Sequence, residues 1–450
     1  MAACTEAGAP VSQRLPLIAS FEAARPLLWQ HGAVVTAGQF LNRVLALAES
    51  LPERPYLVNL CEERAHFLTA WCAALVRDQT NLLPASRAPQ VIAATRASHP
   101  DHHVVDDEVV GRVRAHTAPA PLPQIPAEHI AQIGFTSGTT GAPTAHAKRW
   151  GSLHFNTRYN AERIRECLGG AAGAPALIAT VPAQHMYGTE TSVLLPLLAG
   201  FAVHHARPLF PADVAAALAQ VPAPRVLVTT PVHLRTLLAS RQAFPDIAVV
   251  VSATAPLDAA LAQHVARTLG APLLEMFGST ETCVIATRLT AAESAWRLYP
   301  QVELEPAADH TWVRAPWFDQ PTRLQDVVEV EAGRMRLRGR NVDMIEIAGK
   351  RASLAELTRR LLAIPGVEDA LVFQPSDAEA AAQGVARVQR VAAVVVAPTL
   401  SVAQILAALA PGVDPLFLPR PLLRLPALPR NELGKAPRAQ LLALLRQAPE

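Results

Sequence analysis

Cysteine is scarce. The five in 450 residues show no Cys-x-x-Cys spacing, which argues against structural zinc and a disulfide framework and suits a reducing compartment. Charged residues make up only 17% of the chain against 50% hydrophobic ones, a balance that excludes a disordered chain and describes a packed globular one. Charge of the two signs nearly cancels, at a formal +2, and no basic block occurs, so a nucleic-acid partner is not expected. No apolar run is long enough to span a bilayer; the greasiest, residues 193–206, is broken by Pro196 and Gly200. The opening residues lack a basic segment followed by an apolar one, so no secretory signal is expected and the expected location is the cytoplasm. A P-loop with its Gly-Lys-Ser/Thr ending is missing as well.

What is there is a regular alternation. Expected strands at 56–60, 176–181, 201–206, 225–230, 247–251 and 272–277 are separated by expected helices at 62–76, 213–220, 232–240 and 257–269, the first of them reading as amphipathic. Such alternation predicts an α/β fold with mostly parallel, helix-covered sheets, whose ligands sit at the carboxyl ends of the strands. Residues 1–50 read as helices packed on this large part. After Arg338 the pattern changes to strand 344–347, helix 353–362, strands 367–373 and 389–397, a proline-rich stretch and a last helix at 438–446. This is a small α+β pattern. The expected division is a large N-terminal domain, 1–339, and a small C-terminal domain, 340–450.

Two segments carry most of the functional signal. Phe135-Thr-Ser-Gly-Thr-Thr-Gly-Ala-Pro143 follows an apolar run and offers hydroxyls and close-approaching backbone N–H groups from Thr136, Ser137, Gly138, Thr139, Thr140 and Gly141 to a polyphosphate. Phe277-Gly278-Ser279-Thr280-Glu281 ends another apolar strand with a hydroxyl-bearing turn and one carboxylate. A carboxylate beside a phosphate loop suits Mg²⁺, which keeps most of its waters and takes one or two protein oxygens. Each segment alone is weak, since hydroxyl- and glycine-rich turns are commonly only turns. Together they point to ATP with Mg²⁺.

Both segments resemble signatures of the adenylate-forming superfamily, which includes acyl- and aryl-CoA synthetases, peptide-synthetase adenylation domains and luciferases. Three later segments resemble its other signatures, in family order: the one around Asp326, the one from Gly339-Arg340 to Gly349-Lys-Arg351, and Pro429-Arg-Asn-Glu-Leu-Gly-Lys435. The resemblance implies a C-terminal domain that moves between two half-reactions. It implies Glu281 as the metal ligand, Asp326 on the ribose, Arg340 on ribose or phosphate and Thr280 near the α-phosphate. It also implies Ser252, Ala253, Thr254 and Ala255 around the adenine, His185 and Tyr187 with Ser252 around the acyl group, and Lys435 as the catalytic lysine. The short spacing between Glu281 and Asp326, 45 positions, is similar to the compact ligases of bacterial aryl-polyene pigment pathways. These load an acyl carrier protein.

The sequence also departs from the superfamily pattern. Thr144 stands where the phosphate loop usually carries a lysine, leaving Lys148 as the candidate replacement. Val342 and Asp343 occupy the hinge, and Glu346 stands where a lysine is usual, which puts the second half-reaction in question. The expectation is an ATP-dependent ligase. It would adenylate an aryl acid such as a hydroxybenzoate and pass it to the phosphopantetheine thiol of a free acyl carrier protein. The alternatives are an aryl- or medium-chain acyl-CoA ligase, an enzyme that stops at the adenylate, and a non-catalytic nucleotide- or acyl-binding member of the fold. The paired histidines His102-His103 and His204-His205 read as structural or surface residues.

Overall fold

The computed structural model describes residues 13–137, 143–254, 257, 259–307, 310–318, 320–340, 344–347, 350–375, 390–429 and 438–446. Its centre is an eleven-stranded sheet. Six neighbouring strands run parallel: Pro26–Gln30, Ala202–His204, Ala176–Ala179, Arg225–Thr229, Val249–Ser252 and Leu273–Ser279. Antiparallel strands extend it on both sides, among them Cys283–Leu289 and the hairpin of Asp326–Glu331 with Arg334–Arg340. The parallel strands are continuous apolar runs such as Val249-Val-Val-Ser252, fully buried, as strands covered on both faces must be. A second sheet has His102–Val105, Tyr56–Asn59, Thr80–Leu83 and Ile130–Ser137 in parallel, with Pro143–Arg149 antiparallel at its edge. The fold is therefore α/β, with parallel strands at the heart of both large sheets and a large sheet-rich N-terminal part.

Two readings of the sequence need correction. The described part of residues 1–50 is helical only in its last stretch: Arg14–Pro16, Pro26–Gln30 and Ala33–Thr36 are strands, and helix begins at Ala37. The helix start is set by a capping box, in which the Thr36 hydroxyl accepts from Gln39 N and the Gln39 side chain accepts from Thr36 N. The second concerns helix Arg64–Val76, which is not amphipathic. Eleven of its thirteen residues are buried, because it packs into the core shared by both sheets. Its Trp71 ring nitrogen donates to Gln132 at 3.0 Å, and its Arg64 is 2% exposed. A helix buried on every side has no polar face for a 3.6-residue period to reveal.

From Met344 on, three smaller structures form apart from the large sheet: the hairpin Met344–Ile347 with Lys350–Ser353, helix Leu354–Leu362, and a sheet of Asp369–Phe373, Ala392–Val396 and Leu422–Arg424. Strand Leu422–Arg424 lies inside the proline-rich stretch, which sequence periodicity left without structure. A separate apolar cluster that includes Leu361, Val391, Val395 and Ile405 fills this part. Among the described residues no helix is long and apolar enough to cross a membrane.

The histidine pairs do structural work. His204 accepts from Ala206 N and its other nitrogen faces Gln220 at 3.2 Å, while His103 bonds Gln79 at 3.0 Å. Burial lowers His103, His154 and His205 from 6.5 to about 4. In the unfolded chain these rings take up protons near pH 6.5, so acidification favours unfolding between 6.5 and about 4. Buried Glu190, raised by burial to about 7, has the opposite sign over pH 7 to 4.5. Three imidazoles outweigh one carboxyl. The urea midpoint should therefore fall from pH 7.5 to pH 5, and a midpoint that rises would contradict this account.

Candidate active site

The two signature segments meet at the ends of neighbouring sheets. Strands Ile130–Ser137 and Pro143–Arg149 form the stem of the phosphate loop, pairing Thr136 with Thr144 and Gly134 with His146. Gly138, Thr139, Thr140 and Gly141 lie outside the described residues. Strand Leu273–Ser279 reaches the same place through a bulge between Phe277 and Gly278, then turns at Thr280 and Glu281 into Cys283–Leu289. The Thr282 hydroxyl accepts from Ser279 N at 3.0 Å and closes the turn. A Cβ on Gly134 would lie 3.3 Å from the Thr280 methyl, so stem and turn are in contact.

Side chains from three elements grip this turn. Lys148 Nζ donates to the Glu281 carbonyl at 2.5 Å. Glu190 Oε1 accepts from Val284 N at 2.9 Å, and Asn156 Nδ2 donates to Val284 O at 2.7 Å. Glu190 opens a π-helical turn, Glu190–Leu194, and is 2% exposed. Burial pushes its pKa up to about 7 against the Val284 N–H, Asn160 and the Lys148 charge. Asn160 in turn accepts from the Tyr299 hydroxyl at 2.7 Å. Thr144, His146 and Lys148 share one face of their strand by alternation. His146 Nε2 sits 2.9 Å from the Thr136 hydroxyl and 3.6 Å from a Glu281 carboxylate oxygen.

Sequence reasoning missed His146 and Glu190. A signal existed for Glu190, the only charged residue between Met186 and Val203. Lys148, the candidate replacement for the missing loop lysine, has its ammonium bonded to the Glu281 carbonyl. Removing it leaves a carbonyl without its charged donor in a site where Lys148 itself is 7% exposed. Lys148→Ala should raise KM for ATP about tenfold or more. Arg149→Ala, on the opposite strand face, should stay within about twofold. Equal mild effects in steady-state titrations of ATP would exclude this role.

Of the remaining expected residues, Ser252 and Tyr187 lie at the ends of the parallel strands. Ser252 closes strand Val249–Ser252, with Ala253 beside it and Thr254 in the left-handed region at φ 83°. The hydroxyls of Ser252 and Thr254 are buried and have no partner among the described residues. Ala255 lies outside the described residues. Asp326 is 3% exposed and sits across the hairpin from Arg340 in register. His185 precedes helix Met186–Thr189 with its Nε2 buried and unpartnered among the described residues. Burial, then the Lys350 and Arg207 charges, hold it down to about 4 against Asp414, so it is neutral at pH 7. The Tyr187 hydroxyl donates to the strand-end carbonyls of Thr229 and Val251, at 3.2 and 3.0 Å, and its ring packs in the core. Lys435, Val342 and Asp343 lie outside the described residues.

A cleft of about 520 Å³ runs past Gln184 between the loops of the large part and the C-terminal part. Its C-terminal wall is Lys350, paired with Asp414 at 2.5 Å, together with Val413 and Pro415. The Lys350–Ser353 strand also packs against Ile130–Ser137.

Buried hydroxyls and a turn carboxylate beside the stem strands, at the ends of the parallel strands, suit a nucleotide-binding α/β enzyme of the adenylate-forming type. The chain belongs to the AMP-binding enzyme family, whose family model matches residues 33–334. It is similar to a 4-coumarate–CoA ligase of Halorhodospira halophila, with 31% identity over 239 residues, covering 52% of this chain and 57% of that one. The corresponding ligase of Rhodobacter capsulatus is 33% identical over 236 residues, covering 52% and 58%. The chain thus spans little more than half the length of these relatives. An indoleacetate–CoA ligase of Aromatoleum aromaticum is 26% identical over 355 residues, covering 70% of this chain and 67% of that one. Among solved structures, o-succinylbenzoate CoA synthetase from Bacillus subtilis superposes with a TM-score of 0.76 at 18% identity, covering 95% of this chain and 98% of that one. The amide bond synthetase McbA from Marinactinospora thermotolerans gives 0.77 at 19%, covering 94% and 97%. These two likenesses show the fold.

Proposed function

We propose that the chain is an AMP-forming acid–thiol ligase. The observation that carries this reading is the contact between the phosphate-loop stem and the Thr280–Glu281 turn, fixed by Lys148. ATP would lie across the strand ends. Its phosphates would meet the loop from Thr136 to Gly141 and Thr280, its base the segment of Ser252 to Ala255 near Phe277, Gly278 and Ser279, and its ribose Asp326 and Arg340. The residues fit Mg²⁺: the Glu281 carboxylate is one-quarter exposed, a hard oxygen donor with room for water beside the Thr136 hydroxyl. Bound there, Mg²⁺ would offset the charge that develops on the phosphates.

In the first step a carboxylate oxygen bonds to the α-phosphorus and the bond to pyrophosphate breaks. Lys435 would neutralise the two anions brought together. In the second, a thiolate attacks the acyl carbon and AMP leaves. The division at residue 339 belongs to this proposal, with the C-terminal part moving between steps in the cytoplasm. The cleft past Gln184 is then the route of the thiol, and a neutral His185 next to that residue would admit it without a charge to desolvate.

For the acid we favour a small aromatic one such as a hydroxybenzoate, with the acyl group passed to an acyl carrier protein. The names of the relatives, a coumarate and an indoleacetate ligase, support an aromatic acid; they favour coenzyme A as the acceptor, which is the second reading. Incubation with hydroxybenzoate, ATP, Mg²⁺ and each thiol, followed by nucleotide analysis and mass spectrometry, should give AMP and a thioester. ADP as the nucleotide product would sink the proposal.

A further inference from the structure

The cleft past Gln184 carries charge that its own walls do not cancel. Four cations line it, Arg64, Arg87, Arg207 and Lys350, against the carboxylates Glu62 and Asp414. Lys350 is paired with Asp414 and Arg87 with Glu62 at 3.0 Å. Arg64 and Arg207 have no carboxylate partner among the described residues. Arg64 is 2% exposed, with its guanidinium on the Ser192 hydroxyl and the carbonyls of Ala179 and Val181, and its Nε unpartnered. A buried cation without a counter-charge costs stability, and an anion entering the cleft would relieve that cost.

The rim of the same cleft is apolar and exposed. Leu209 lines it at 43% exposure, and its neighbour Phe210, at 71%, is the most exposed large apolar side chain among the described residues. From the C-terminal part, Pro415 lines the cleft and Leu416 follows at 41%. A free nucleotide-bearing thiol has no use for an apolar lip of this kind. A protein does, because exposed apolar side chains rimmed by charge mark association surfaces.

We propose that Leu209, Phe210 and Leu416, with Arg207 on the cleft wall, form a docking surface for an acidic acyl carrier protein. The carrier's phosphopantetheine arm would enter past Arg207, its phosphate facing the unpaired guanidinium groups, and present the thiol beside His185. The complementarity is double: acidic partner against basic cleft, apolar helix face against the Leu209–Phe210 lip. This rests on the ligase reading above and adds to it the surface on which the carrier sits.

The test uses Phe210→Ser and Leu416→Ser in the full chain, both surface changes that leave the core intact. The acceptors are coenzyme A, free pantetheine and each purified holo-acyl carrier protein from the source organism. ATP–pyrophosphate exchange is measured alongside. The surface predicts that one carrier accepts the acyl group faster than coenzyme A. It also predicts that each variant raises KM for that carrier about tenfold, with exchange and transfer to pantetheine unchanged. Transfer to coenzyme A at least as fast as to every carrier would overturn the docking surface and leave the ligase intact, as would equal loss with carrier and pantetheine. Absence of exchange in the parent chain would overturn the ligase reading and this surface with it.

Discussion

Gly278→Ala should abolish adenylate formation while leaving a folded protein. A Cβ at this position would lie 2.0 Å from the Cys283 carbonyl oxygen and 2.7 Å from Val284 Cα, both backbone atoms that cannot swing aside. The strand has to move, and the bulge at Phe277 and Gly278 is what aims Thr280 and Glu281 at the phosphate-loop stem. Lys148, Glu190 and Asn156 hold the far side of the turn, so displacement cannot be shared smoothly. A misplacement on the order of 1 Å in a reacting geometry costs about 100-fold. The expected result is a drop of at least about that size in ATP–pyrophosphate exchange, with a far-ultraviolet spectrum like the parent's. An active Gly278→Ala would show that the turn is not part of the catalytic machinery.

The second large effect belongs to Lys435. If it neutralises the substrate carboxylate and the α-phosphate, Lys435→Ala should lower adenylate formation by about 100- to 1000-fold, the range seen on removing one preorganised donor to developing charge. The second step should be spared. Supplied with synthetic acyl-adenylate and a thiol acceptor, the variant should form thioester at close to the parental rate. Loss of both steps would point to a folding defect or a different role, and retention of pyrophosphate exchange would remove Lys435 from the mechanism.

How much of this was legible in the sequence depended on the physics of each element. The parallel strands of the large sheet announced themselves because burial on both faces demands unbroken apolar runs, as in Val249-Val-Val and Val226-Leu-Val. Helix Arg64–Val76 was found but misread, since total burial erases the periodicity from which a polar face is inferred. The short strands before Ala37 were missed because three to five residues carry too little alternation to separate them from loops or helix ends. In the site, Thr136, Thr280, Glu281 and Asp326 stood out through local motifs. His146 and Glu190 did not, because their roles come from contacts across long sequence separation: Glu190 meets Val284, 94 positions on. The unpaired cations of the cleft share that origin. Arg64 and Arg207 are ordinary arginines in the chain and become unusual only where four segments of the large part and the C-terminal part converge.

The measurement that bears most directly on the central claim is ATP–pyrophosphate exchange by the purified chain with Mg²⁺ and a panel of hydroxybenzoates, cinnamates and fatty acids. The account predicts exchange that depends on the acid, strongest with an aromatic one, and lost in Glu281→Ala. Measurable ATP binding with no exchange for any acid would contradict it, and would make the chain a nucleotide-binding relative that no longer activates carboxylates.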